Sequence, residues 1–208
     1  MSKSRVSQSA KKNQSRRIDA KRERKFILIL CEGKATEPNY FNALVREKRL
    51  RGCEVIGTGV SGMYLINDAK KRQNQEGYDE IWCVFDKDSL LPEDFNTAIH
   101  TTRTHPFLHA AWSNEAFELW YVLHFEYLNS STGRQYYIER LKVLLGDYRK
   151  AQPNMYTLLK ARMETARSNA QKLVAEYAED TPFHDRIPCT TVHELVVRLE
   201  EYAAEKPY

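Results

Sequence analysis

Apolar residues along this chain fall into two alternating periodicities. KFILILC at 25–31 is apolar without a break, the pattern of a strand covered on both faces. It runs into EGKATEPNYFNALVREKRL, where Tyr40, Phe41, Leu44 and Val45 recur at helical spacing. Thr36 can cap that helix, and Glu37 and Pro38 suit its first turn. CEVIG at 53–57 predicts a second strand, and Tyr64, Leu65, Ile66 and Ala69 predict a second helix. DEIWCVFD at 79–86 predicts a third strand, 92–103 a helix, and FLHAAWS at 107–113 a fourth strand. This alternation predicts an α/β fold, a parallel sheet of about four strands flanked by helices.

Beyond residue 114 the strand pattern fades. NEAFELWYVLHFEYL, RQYYIERLKVLL, the Ala-rich charged stretch 154–179 and TTVHELVVRLEEYAAE all read as helices. The expected organisation is a disordered basic arm at 1–25, an α/β domain at 26–130, and a helical extension at 131–208 packing on the same core.

Charge sharpens this division. Residues 1–25 hold ten Lys or Arg against Asp19 and Glu23, a net +8, so a chain of net +4 carries −4 in the remainder. With few large apolar residues the arm cannot offset its ordering entropy by burial, and its charge suits either a polyphosphate-seeking tail or a solubilising extension. Cys31, Cys53, Cys83 and Cys189 form no Cys-x-x-Cys pair and read as reduced, buried thiols. No apolar run approaches the roughly 20 residues that span a bilayer, so a soluble cytoplasmic protein without membrane contact is expected.

The chemistry concentrates at the strand ends. Asp86 and Asp88 close the third strand, where a period of two points both side chains to one side. Glu32 closes the first strand, and parallel sheets bind ligands outside the carboxyl ends of their strands. Clustered carboxylates raise one another's pKa unless a cation neutralises them, and a hard divalent ion prefers such oxygens. Glu32, Asp86 and Asp88 are therefore candidate ligands for Mg2+ or Mn2+; equally, Asp86 suits a helix cap and Asp88 a solvated turn. Asn114 and Glu118, four apart, would share a helix face, with Glu118 a candidate general base or ligand of a second metal and Asn114 a phosphate contact; equally, Ser113 or Asn114 suits an ordinary N-cap.

GTGVSG at 57–62 sits between a strand and a helix, so Gly57 and Gly59 suit a phosphate-approach loop or a plain tight turn. Its place after the second strand argues against a dinucleotide fingerprint. Lys34 and Lys87 flank the acids and could assist electrostatically. His124 is a candidate proton-transfer or phosphate group, or a satisfied core imidazole. Arg134, Arg140, Lys142, Arg149, Lys150, Lys160 and Arg162 are interspersed with Tyr136, Tyr137, Tyr148 and Tyr156, the residue types that hold unpaired RNA, or an ordinary solvated helix face.

LCEGKATEPNYF, GTG, DEIWCVFDKD, SNEAFELWYVLHF and IPCTTVHELVVRL, in that order, resemble the RloB-like family, a Toprim-related group associated with bacterial restriction and abortive infection. The resemblance covers about residues 26–200. It implies a Toprim-like sheet with Glu32, Asp86 and Asp88 on Mg2+, a basic residue near Lys150, and metal-dependent cleavage of nucleic acid in phage defence. RNA such as tRNA is the expected substrate ahead of duplex DNA. A defence-system partner protein and an oligomer are compatible with it, as are two other activities: a non-catalytic nucleotide- or protein-binding module, and nucleotidyl transfer.

Overall fold

The computed structural model describes residues 26–205 other than Ser89. The basic arm expected at 1–25 lies outside the described residues. Strands β1 (Ile27–Cys31), β2 (Cys53–Gly57), β3 (Glu80–Asp86), β4 (Leu108–Asn114) and β5 (Cys189–Thr190) form one sheet in the order β2-β1-β3-β4-β5. The first four pair in parallel, as the alternation predicts, and β5 adds an antiparallel edge to β4. A two-residue strand has no periodicity to read, which is why the sequence pattern stops at four.

All five residues of β1 are buried, because its alternate side chains serve two different cores. Ile27, Ile29 and Cys31 join Trp82 and Val84 of β3 on one face, under helix α1 (Thr36–Glu47) with Tyr40, Phe41 and Leu44. Leu28 and Leu30 join Ile81, Cys83 and Phe85 on the other face, under α2 (Gly62–Glu76) with Leu65, Ile66 and Ala69, and α3 (Pro92–Arg103) with Phe95, Ala98 and Ile99. Burying each of these large side chains contributes about 1.5–3 kcal/mol.

The C-terminal half thickens the first face. It comprises α4 (Glu118–Leu123), α5 (Gly133–Leu145), α6 (Met155–Leu159), α7 (Met163–Ala175) and α8 (Val192–Ala204). Two expectations change here. The stretch 154–179 is not one helix: a 3-10 turn at Lys160–Arg162 separates α6 from α7. The segment from Asn114 yields only the six-residue α4, because its first residue completes β4 and its apolar positions, Leu119 to Leu123, are all buried in the core. Asn114 and Glu118 therefore share no helix face. Arg198 of α8 pins the last helix to the sheet through a forked ion pair with Glu80 at the start of β3 (2.7–3.1 Å). No helix among the described residues is long and apolar enough to cross a membrane.

Candidate functional site

Parallel register brings the candidate acids together. Cys31 pairs with Val84 and Asp86 with Ser113, so β1, β3 and β4 end side by side. Glu32 follows β1 directly, and its Oε2 accepts hydrogen bonds from the Asp86 N–H (3.1 Å) and the Ser61 hydroxyl (2.7 Å). Asp86 is the last residue of β3, whereas Asp88 lies past the strand in a turn with φ +30°. Strand alternation is thus not what aligns the two aspartates. Their carboxylates converge because Arg134, on the first turn of α5, reaches both: Nη2 to Asp86 Oδ2 at 3.2 Å and Nη1 to Asp88 Oδ2 at 2.7 Å.

Around these groups lies a cavity of about 310 Å3. Glu32, Asp86, Asp88 and Glu118 line it, together with Lys34, Lys150 and Arg134. The sequence pattern missed Glu37, which also lines it from the first turn of α1 and accepts the Gly33 N–H (3.3 Å). An acid at a helix start looks like ordinary dipole pairing, and only its 5% exposure beside other carboxylates marks it out. Glu118 is 2% exposed and accepts a hydrogen bond from the Tyr148 hydroxyl (3.3 Å).

Crowding shows in the electrostatics. Burial raises the Asp86 carboxyl well above its usual range, reinforced by Glu37, Glu118 and Glu32 and only partly opposed by Arg134. Burial also raises Glu32 and Glu37. Asp86 Oδ2 accepts the Phe117 N–H (3.1 Å), but its Oδ1 is buried with no hydrogen-bond partner. Such an atom is costly to leave unmatched. As the side chains stand, no group of three His, Cys, Asp or Glu among the described residues is arranged to hold a metal ion. The donor chemistry nonetheless suits a hard divalent cation: carboxylate oxygens, excess negative charge and one orphaned buried acceptor.

The remaining candidates divide. Lys34 and Lys150 are exposed at the cavity. Gly57 and Gly59 do not line it; they let β2 and its loop approach the Glu32 segment, where the Gly59 N–H donates to the Glu32 carbonyl (2.8 Å). A Cβ on Gly57 would sit 2.6 Å from the Gly33 carbonyl oxygen, and one on Gly59, at φ +80°, would collide with the Lys34 side chain. Asn114 is buried away from the cavity, its amide donating to the carbonyls of Phe183 (3.4 Å) and His184 (2.9 Å). His124 is fully buried, bonded through Nδ1 to the Trp120 carbonyl (2.8 Å), and burial pushes its pKa down to about 4. Lys87 is half-buried and does not line the cavity.

The helical half offers little of the cation and aromatic pattern. Tyr137, Tyr148 and Tyr156 are buried, leaving Tyr136 as the open ring of the four. Arg140, Lys142, Arg149 and Lys160 pair with Glu126, Glu139, Asp147 and Glu47.

Against known proteins, a family model described as RloB-like protein matches residues 27–199, most of the chain. No curated protein and no solved structure matches it.

Proposed function

The chain belongs to the RloB-like family, and we propose that it is a metal-dependent nuclease cleaving phosphodiester bonds of RNA in bacterial phage defence, on a Toprim-like sheet. One observation carries this reading: carboxylates from the ends of β1 and β3, the start of α1 and the start of α4 meet in one cavity, with a buried Asp86 oxygen that has nothing to accept from. A floor this acidic repels phosphate by itself. Cleavage there requires a cation between the two.

Glu32, Asp86 and Asp88 would hold Mg2+ or Mn2+, with Glu37 alongside. When bound, the ion neutralises charge on the scissile phosphate and lowers the pKa of a water nucleophile. Glu118 would accept a proton from that water, while the Tyr148 O–H on its Oε1 fixes the carboxylate. Lys34 and Lys150, exposed at the cavity, would draw in the polyanion and stabilise charge developing on the phosphate. A single cavity of about 310 Å3 suits one backbone linkage of an unpaired strand better than a duplex, which favours RNA loops such as those of tRNA. The arm's +8 charge would add salt-dependent affinity for either nucleic acid.

The Arg134 bridge favours a second reading, a non-catalytic binding module whose acids are already neutralised. Digestion separates the two. Purified protein is incubated with labelled total RNA and with plasmid in Mg2+, Mn2+ or EDTA. Metal-dependent fragments that Asp86→Asn and Glu32→Gln fail to produce support the nuclease; binding without cutting supports the module; products that lengthen reveal nucleotidyl transfer.

A further inference from the structure

Among the described residues, Arg134 is the one cation paired with both Asp86 and Asp88. Its guanidinium spans Asp86 and Asp88, yet the fit is incomplete: Arg134 Nε is buried without a partner, and so is Asp86 Oδ1. Buried hydrogen-bonding atoms of a fixed structural pair are normally matched, because unmatched ones cost more than the pair contributes. The backbone, by contrast, is tied down. The Arg134 N–H donates to Glu115 Oε2 (3.0 Å), and the Asp88 N–H donates to the Glu115 carbonyl (3.1 Å). Glu115 thus joins the helix start to the turn after β3, while the guanidinium is held on the carboxylates by its two ion-pair hydrogen bonds and can leave them by side-chain rotation alone. The fork is half-exposed and lines the cavity with Glu118, Lys34 and Lys150.

From this arrangement we infer that Arg134 is the resident counter-ion of Asp86 and Asp88, displaced when a divalent cation binds and thereby released to grip the substrate phosphate. The inference rests on the nuclease reading and adds a residue and an order of events to it. In the resting protein the guanidinium neutralises the pair, so metal binding competes with an internal cation and is weakened by the fraction of time the fork is docked. Once two positive charges occupy the carboxylates, like charge drives the guanidinium off. Its planar fork matches two phosphate oxygens, and its anchored backbone keeps it at the cavity. Cation and substrate would bind cooperatively, since each removes the other's competitor.

The test uses the full chain with Mn2+ as probe, titrated calorimetrically and by paramagnetic resonance of the free ion. Arg134→Gln should bind Mn2+ about tenfold more tightly than wild type, while kcat/KM for metal-saturated RNA cleavage falls at least as far. Arg134→Lys, which keeps the charge but not the fork, should lie between them and covers the case in which the glutamine variant does not fold. Arg140→Gln, on the same helix but paired with Glu126, should match wild type in Mn2+ affinity. Equal Mn2+ affinity of wild type and Arg134→Gln would make Arg134 a fixed structural pair and overturn the inference while leaving the nuclease intact. Tighter Mn2+ with undiminished cleavage overturns the phosphate role. Uptake by neither protein, with no cleavage, removes the nuclease reading and the inference together.

Discussion

Gly57→Ala tests how tightly the fold must hold the Glu32 segment. Gly57 ends β2 beside β1, and a Cβ there would lie 2.6 Å from the Gly33 carbonyl oxygen and 2.9 Å from the Lys34 Cα. Both of these are backbone, and the third close atom, Pro38 Cγ at 2.9 Å, belongs to a ring that cannot swing aside. The Gly33 oxygen would have to retreat by about 0.8 Å to reach the 3.4 Å at which ordinary contact begins. Glu32 is the residue before it and moves with it. Overpacking of this kind costs roughly 2 kcal/mol, or about a 6 °C lower melting temperature for a chain of this size. A misplacement near 1 Å at a catalytic group costs on the order of 100-fold in rate, so cleavage should fall far more than stability does. Gly59→Ala is the comparison: its positive φ costs about 1–2 kcal/mol, but its Cβ meets the flexible end of Lys34, so cleavage should fall less than in Gly57→Ala. Melting curves and initial rates on labelled RNA in Mg2+ provide both readouts. A Gly57→Ala protein that melts and cuts like wild type would refute the reasoning.

Other outcomes follow from the same geometry. Folding raises the carboxyl pKa of Glu32, Glu37 and Asp86, so their favourable contribution is full below the unfolded values and is lost as pH rises through the folded ones. Metal-free Asp86→Asn should therefore gain melting temperature relative to wild type as pH rises from 4 to 8; parallel curves would exclude this. His193 and His124 shift the other way, pushed down by burial to about 4, so both oppose folding as pH falls from 6.5, on the order of 3 kcal/mol each at the limit. His124→Gln should lower the melting temperature yet leave the cleavage rate of the folded fraction unchanged, because the imidazole is sealed in the core. Arg198→Met should cost about 2 kcal/mol by removing the forked ion pair with Glu80; urea unfolding with an unchanged midpoint would refute this.

Much of this molecule is legible in its sequence because hydrophobic period maps onto layers. The unbroken run of β1 and the mixed faces of α1 to α3 give four parallel strands and their helices without tertiary information. That Glu32, Asp86 and Asp88 line one cavity is legible because parallel strands end along one rim, although Asp88 reaches it from the turn past β3. Where longer-range packing decides, the pattern fails. Nothing local distinguishes the helix start that carries Glu37 from any other acidic first turn. Arg134 looks like one more basic residue on a helix, 46 positions from Asp88 along the chain. Asn114 and His124 are polar residues in an apolar block and invite a functional reading, but their partners are backbone carbonyls that only the fold supplies. The tyrosines of α5 and α6 suggest base stacking until the structure turns most of them inward.

We propose that a divalent cation sits on Asp86 with Glu32 and Asp88 around it. Anomalous diffraction from crystals soaked in Mn2+ tests it most directly. The expected result is a manganese peak within about 2.5 Å of carboxylate oxygens of Asp86 and its neighbours, with the Arg134 guanidinium moved off the pair. A map with no peak there and Arg134 still forked between the aspartates, at Mn2+ concentrations that support cleavage, would contradict it.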